Sequence, residues 1–110
     1  LYFIDMIKAL YYCHKTAKVI HRDIKPDNIM INHNNQAILI DFGVSAIVEK
    51  PEDVTMDSGM GSYLFYAPEM FHISCCGSVH GEKTDIWALG ITFYYLLTGD
   101  YPWKDAKNPL

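Results

Sequence analysis

The chain has 110 residues, half of them hydrophobic and a fifth charged, with a formal net charge of −4. That length is about one small domain on the usual ~100–200 residues, and the acidic balance, without a basic run, argues against a nucleic-acid surface. The three cysteines, Cys13, Cys75 and Cys76, are odd in number with two adjacent, so they give no disulfide framework and a reducing cytosol or nucleus is expected.

Residues 1–16 read as a helix, because Leu1, Ile4, Ile7 and Tyr11 fall at helical spacing with Phe3, Leu10 and His14 on neighbouring rows. Asp5 and Lys8 would face water or neighbouring chain. Val19-Ile20 is a short apolar run that leads into the polar stretch His21-Arg22-Asp23-Ile24-Lys25-Pro26-Asp27-Asn28. Two apolar, β-branched segments come next, Ile29-Met30-Ile31 and Ala37-Ile38-Leu39-Ile40. The turn-forming Asn32-His33-Asn34-Asn35-Gln36 between them predicts a hairpin-like ribbon. Asp41-Phe42-Gly43 follows it directly.

Residues 44–62 show no strong period, which predicts a long, mobile loop of the kind that is usually functional or disordered. Pro68 suits the first turn of a short helix over 68–72. Residues 73–83, small and polar with two glycines, read as a surface insertion. Thr84 or Asp85 can cap a helix running to Leu97 or Thr98, which Gly99 would end, with Pro102 shortly after. That helix is apolar on nearly all faces and is expected to be buried. Its apolar run, Ile86 to Leu97, is too short for the ~20 residues of a membrane helix, and neither a signal peptide nor an internal repeat is visible.

The candidate chemistry lies in the polar stretch and in Asp41, eighteen residues after Asp23 and behind an apolar strand. At these residues the chain resembles the eukaryotic protein kinases. Lys25-Pro26-Asp27-Asn28 resembles the Ser/Thr branch, since tyrosine kinases usually carry Ala-Ala-Arg-Asn or a close variant there. Asp41-Phe42-Gly43-Val44-Ser45, the insertion before Asp85, and Thr98-Gly99-Asp100-Tyr101-Pro102-Trp103 are most similar to the calcium/calmodulin-dependent protein kinase kinases and their relatives. The resemblance implies an α+β, protein kinase-like fold. Residues 1–110 would form part of the C-terminal lobe, mainly helical with a small β-ribbon. They would run from the helix before the catalytic loop to just past the central buried helix. The N-terminal lobe and the last C-terminal helices would lie outside the chain, which, starting at Leu1, reads as a segment of that domain.

The resemblance also implies an activity, transfer of the ATP γ-phosphate to Ser or Thr hydroxyls of a protein substrate, with Mg²⁺. Asp23 would accept a hydrogen bond from the substrate hydroxyl, and Lys25 would place a cation by the transferred group. Asn28 and Asp41 would hold Mg²⁺, and Met30 would touch the nucleotide, above Thr92 and Leu96, for which plain core packing is expected. His21 would support Phe42, which would pack inward, and Gly43 would permit a backbone flip. Arg22 would bind an activating phosphate on Ser58, or on Thr55, placed there by an upstream kinase. In Gly61-Ser62-Tyr63-Leu64-Phe65-Tyr66-Ala67-Pro68-Glu69, Ser62 would bridge Asp23 and Lys25. Tyr63 departs from the family's usual Pro, and Glu69 would pair with an Arg beyond Leu110. Asp85 would accept backbone N–H bonds from the catalytic loop. Asp27 stands where some members carry an acid that reads a basic substrate residue; an exposed acid is the plainer reading. Taken singly, each of these is an ordinary loop or turn residue, and the octapeptide with its spacing to Asp41 is what makes the pattern specific. Two other readings compete: a pseudokinase acting as scaffold or allosteric activator, and an inactive truncated gene product.

Overall fold

The computed structural model describes residues 1–43, 45–47, 63–69 and 81–102. Two helices carry the core. Helix α1 spans Tyr2–Tyr11 and continues as a π-helical turn over Tyr12–Ala17. Helix α2 spans Gly81–Thr98. Between them come strand β1 (Val19–Ile20), a 3-10 turn at Pro26–Asn28, strands β2 (Ile29–Ile31), β3 (Ala37–Leu39) and β4 (Ala46–Ile47), and a second 3-10 turn at Tyr63–Phe65. The α+β expectation is met: among the described residues helices dominate and the strands form two two-stranded pairings.

The ribbon forms where the turn chemistry placed it. Strands β2 and β3 pair antiparallel, with Ile29 opposite Leu39, Met30 opposite Ile38 and Ile31 opposite Ala37. Asn32 shapes the turn: its Oδ1 accepts the backbone N–H of Asn34 and of Gln36, each at 2.9 Å. Asn35 takes a left-handed backbone, φ 59°, which Asn tolerates better than most residues. Asp5, in the first turn of α1, docks the ribbon by accepting the Ala37 N–H at 3.0 Å.

The packing face of α1 differs from the expected one. Met6 and Leu10 are buried and continue into Cys13 and His14 of the π-turn, whereas Leu1, Ile4, Ile7 and Tyr11 are exposed. The helix carries two apolar stripes, and the ribbon and α2 cover the Met6–Leu10 one. Lys18 closes the π-turn in the left-handed region, φ 58°, and its N–H bonds the Cys13 carbonyl.

Three further expectations are corrected. Ala46–Ile47, inside the stretch read as loop, pairs antiparallel with Val19–Ile20; two residues are too few to show a period. Helix α2 starts at Gly81, within the supposed insertion, so Thr84 and Asp85 lie inside it and not at its cap. Thr84 Oγ1 donates back to the Gly81 carbonyl at 2.7 Å, and the Asp85 carboxylate is used elsewhere. Helix α2 is also buried on one side only. Thr84, Asp85, Ala88, Leu89, Ile91 and Thr92 face the core, while Ile86, Trp87, Tyr94, Leu96 and Leu97 are exposed. Leu96, expected to pack in the core, is therefore half in water. Gly99 ends the helix as expected, with φ 78° and its N–H on the Tyr95 carbonyl at 2.7 Å. Of the expected helix over 68–72, the described part is a single 3-10 turn at Pro68 and Glu69.

The core joins Met6, Leu10, Ile24, Ala37, Phe65, Ala88, Leu89 and Ile91, with Ile29, Leu39, Leu64 and Phe93 packed around them. Phe3 and Phe93 meet edge to face at 5.0 Å and tie α1 to α2. Among the described residues no helix is long and apolar enough to cross a membrane.

Thr92 is fully buried, and among the described residues its hydroxyl has no hydrogen-bond partner. A buried, unpaired hydroxyl costs about 1–3 kcal/mol. Replacing Thr92 with Val keeps the shape and removes that cost. The urea midpoint of the Thr92→Val protein is expected to rise by the equivalent of about 1 kcal/mol.

Candidate active site

The loop from His21 to Asn28 is held from beneath by one carboxylate. Asp85, at 1 % exposure, accepts the His21 N–H on Oδ2 at 2.9 Å and the Arg22 N–H on Oδ1 at 3.0 Å. His14 Nε2 donates to the same Oδ2 at 2.8 Å. A buried carboxylate is tolerated only when paired and hydrogen-bonded, and three donors meet that need. These bonds also hold Arg22 in a left-handed conformation, φ 73°. The backbone contact expected of Asp85 is thus present, but its His14 partner was not foreseen. The available signal was a polar imidazole on an otherwise apolar stretch of helix, where a buried His must find a partner.

His21 has no exposed surface and connects both acidic segments. Its Nδ1 accepts the Asp23 N–H at 3.1 Å, and its Nε2 bonds the Ile40 carbonyl at 2.9 Å. A carbonyl only accepts, so Nε2 carries the hydrogen and Nδ1 does not; the two contacts define one neutral tautomer. The ring also meets Phe42 edge to face at 4.7 Å. Phe42 nevertheless stays 42 % exposed, so it packs inward on its His21 side only.

Asn28 is buried in the 3-10 turn that Pro26 starts, a position whose missing N–H and fixed φ suit helical turns. Lys25, just before the proline, is extended at φ −160°, ψ 165°. Asn28 Nδ2 donates to the Asp23 carbonyl at 2.7 Å and to Asp23 Oδ2 at 3.2 Å. Lys25 Nζ lies 3.7 Å from the same Oδ2. Asp23, Lys25 and Asn28 therefore converge on one carboxylate oxygen.

Asp41 joins them through the ribbon. Ile40 N–H donates to the Asn28 carbonyl at 2.9 Å, one step beyond the β2–β3 ladder. Asn28 and Asp41 are thereby set at the same end of the ribbon. Asp41 has a left-handed backbone, φ 60°, and an exposed side chain whose Oδ1 accepts the Gly43 N–H at 3.2 Å. A Cβ on Gly43 would lie 3.0 Å from that same oxygen. A side chain at this position would press on the Asp41 carboxylate, which would have to shift by a few tenths of an ångström.

Met30 is 57 % exposed on the ribbon, open to a ligand, while Thr92 is fully buried. Glu69 is exposed. Ser58, Thr55 and Ser62 lie outside the described residues.

Asn28 and Asp41 suit Mg²⁺ by chemistry: one amide oxygen and one carboxylate are hard donors, and Mg²⁺ usually takes one or two carboxylates and leaves its other positions to water and phosphate. Burial pushes the Cys13 thiol above its ordinary pKa, and the Asp85 charge adds to the effect. The raised value means that Cys13 contributes stability up to its ordinary titration range, lost as the pH climbs past it. The thiol is expected to resist alkylation by iodoacetamide at neutral pH until the protein is unfolded.

A family match and similar proteins point the same way. The protein kinase domain family matches residues 1–109. The chain is 36% identical over 103 residues to Mitogen-activated protein kinase kinase 1 of Arabidopsis thaliana, covering 94% of this chain and 28% of that protein. It is 37% identical over 108 residues to CBL-interacting protein kinase 10 of Oryza sativa subsp. japonica, covering 97% and 23%. It is 37% identical over 106 residues to Serine/threonine-protein kinase CHK1 of Saccharomyces cerevisiae, covering 94% and 20%. The chain thus spans about a quarter of the length of these relatives.

The Asp85 anchor has a measurable strength. Asp85→Asn leaves one acceptor oxygen for three donors and is expected to cost about 2–3 kcal/mol in urea unfolding. His14→Ala leaves both backbone donors in place, and a loss of about 1 kcal/mol is expected.

Proposed function

This chain belongs to the protein kinase family, and we propose that it supplies the hydroxyl-positioning and metal-holding residues of an ATP-dependent protein serine/threonine kinase. The observation that carries this reading is the convergence of Lys25 and Asn28 on Asp23, with Asp41 tied to the same end of the ribbon. Lys25-Pro26-Asp27-Asn28 and the names of the relatives favour Ser and Thr as acceptors.

Asp23 accepts the hydrogen of the substrate hydroxyl and aims its oxygen at the phosphoryl group; little covalent help is needed, so positioning and electrostatics supply most of the rate. Asn28 restrains the Asp23 carboxylate, and its amide oxygen would serve as a ligand to Mg²⁺. Lys25 offsets negative charge beside Asp23. Asp41 would hold the metal, its carboxylate restrained by the Gly43 N–H. Mg²⁺ and ATP, when bound, supply the transferred γ-phosphoryl group and neutralise its charge. Arg22 binds a phosphate on Ser58 or Thr55, so an upstream kinase is a partner, and Ser62 bridges Asp23 and Lys25. The protein works in the cytosol or nucleus, a setting that its unpatterned cysteines suit.

The test is phosphate transfer to a serine peptide by the full-length protein. Asp23→Asn and Asp41→Ala are each expected to lower kcat by at least about 100-fold with the melting transition intact. A binding phenotype that survives both, with no transfer in the parent, supports the scaffold reading instead. Ser58→Ala is expected to reduce activity and to remove a phosphorylated peptide from the mass spectrum of the active protein.

A further inference from the structure

The first turn of α1 reaches the ribbon at two points. Tyr2 donates its hydroxyl hydrogen to Asn35 Oδ1 at the tip, and Asp5 accepts the Ala37 N–H on Oδ2 at 3.0 Å. Residues three apart on a helix are neighbours on its surface, so one side of α1 makes both contacts. Strand register explains why an acceptor is needed there. The Asn32 N–H bonds the Gln36 carbonyl, and the Ile40 N–H bonds the Asn28 carbonyl. Bonded and non-bonded pairs alternate in an antiparallel ribbon, which makes Ile31–Ala37 a non-bonded pair. The N–H of Ala37, a buried residue, therefore points away from β2, and Asp5 is its acceptor.

The other end of the same ribbon carries the site. Ile40 lies three residues beyond Ala37, about 10 Å along an extended strand. Its N–H bonds Asn28, and its carbonyl accepts from His21. The two residues at this end are held unequally. Asn28 is buried, with its side chain bonded to Asp23 twice. The Asp41 side chain is exposed, and its carboxylate accepts from Gly43, two residues on in the same segment. The place of Asp41 thus follows the strand that leads into it. A two-stranded ribbon alone is marginally stable in water, and one held only at its base pivots there. A second hold near the tip removes that freedom.

We propose that Tyr2 and Asp5 are positioning residues: they clamp the ribbon to α1 and thereby fix Asp41 where it would hold Mg²⁺. This rests on the kinase reading, because only there do Asn28 and Asp41 share a metal. The clamp acts through a hydrogen bond and not through the charge of Asp5, so an asparagine that keeps the acceptor oxygen keeps the function.

The experiment compares the full-length parent with Asp5→Ala, Asp5→Asn and Tyr2→Phe. Two quantities are read. One is the free Mg²⁺ concentration that half-saturates phosphate transfer to a serine peptide at fixed, saturating ATP. The other is amide hydrogen exchange at Ile40 with neither nucleotide nor metal present. Asp5→Ala is expected to raise the first about 3- to 10-fold with the peptide KM unchanged, and to speed the second by a similar factor. Tyr2→Phe is expected to shift both about 2-fold in the same direction, and Asp5→Asn to leave both at the parent value. Faster exchange at Ala37 alone, with Ile40 and the Mg²⁺ constant as in the parent, makes the Asp5 bond a local one and overturns the proposal. Equal losses in Asp5→Ala and Asp5→Asn overturn it too, since charge and not the bond would then matter. If Asp5→Ala does not fold, Tyr2→Phe decides: no change in either quantity overturns the clamp. Absence of transfer by the folded parent overturns the kinase reading and with it the clamp's role at the metal, whereas transfer with unaffected variants overturns the clamp alone.

Discussion

One buried carboxylate governs the geometry of the site. Asp85 lies in α2, yet its two oxygens receive backbone N–H groups of the His21–Asn28 loop and the His14 imidazole. Without those donors the charge would be expensive to bury. Without the charge, two backbone donors and a buried imidazole would lose their acceptor. Neither the helix nor the loop can move alone without breaking bonds on both.

From that anchor, order passes through a neutral ring. His21 takes a backbone hydrogen from Asp23 and gives one to the carbonyl before Asp41. The loop at Asp23 and the strand end before Asp41 are thus joined through a ring that carries no net charge. A doubly protonated imidazole could not accept from Asp23, so the bridge exists in one protonation state. Asn28 then makes a second, independent link, through its side chain to Asp23 and through its carbonyl to the residue before Asp41.

Much of this was legible in the sequence, because the informative residues carry local chemistry. The ribbon and its turn follow from β-branched runs flanking an Asn-rich segment, and the loop from its own polar octapeptide. The misses all concern relations between elements. Helix α1 has two apolar stripes, and nothing local says which one α2 and the ribbon will cover. Strand β4 is two residues long and exists only because Val19–Ile20 offers an edge. Asp85 resembles a helix cap by type, but its oxygens serve another segment and it lies inside α2, which starts at Gly81. His14 was counted as one row of a helix, and the π-turn over Tyr12–Ala17 is part of what sets its final direction. The exposed apolar side of α2 shows the same limit from the other direction: a hydrophobic residue states a preference for burial, and the neighbours decide whether it is met.

The bond from Ile40 to the Asn28 carbonyl makes the ribbon a spacer of fixed length. The separation of Asn28 and Asp41 is set by strand register, not by the number of residues between them. Residues added at the Asn32–Gln36 tip would leave that separation unchanged, since the ladder below them is closed at its other end. A single residue added within β2 or β3 would shift the pairing and turn the following side chains to the opposite face. The hairpin can therefore vary in sequence and size at its tip while its base keeps one spacing, and lineages that share the chemistry are free to differ in the turn.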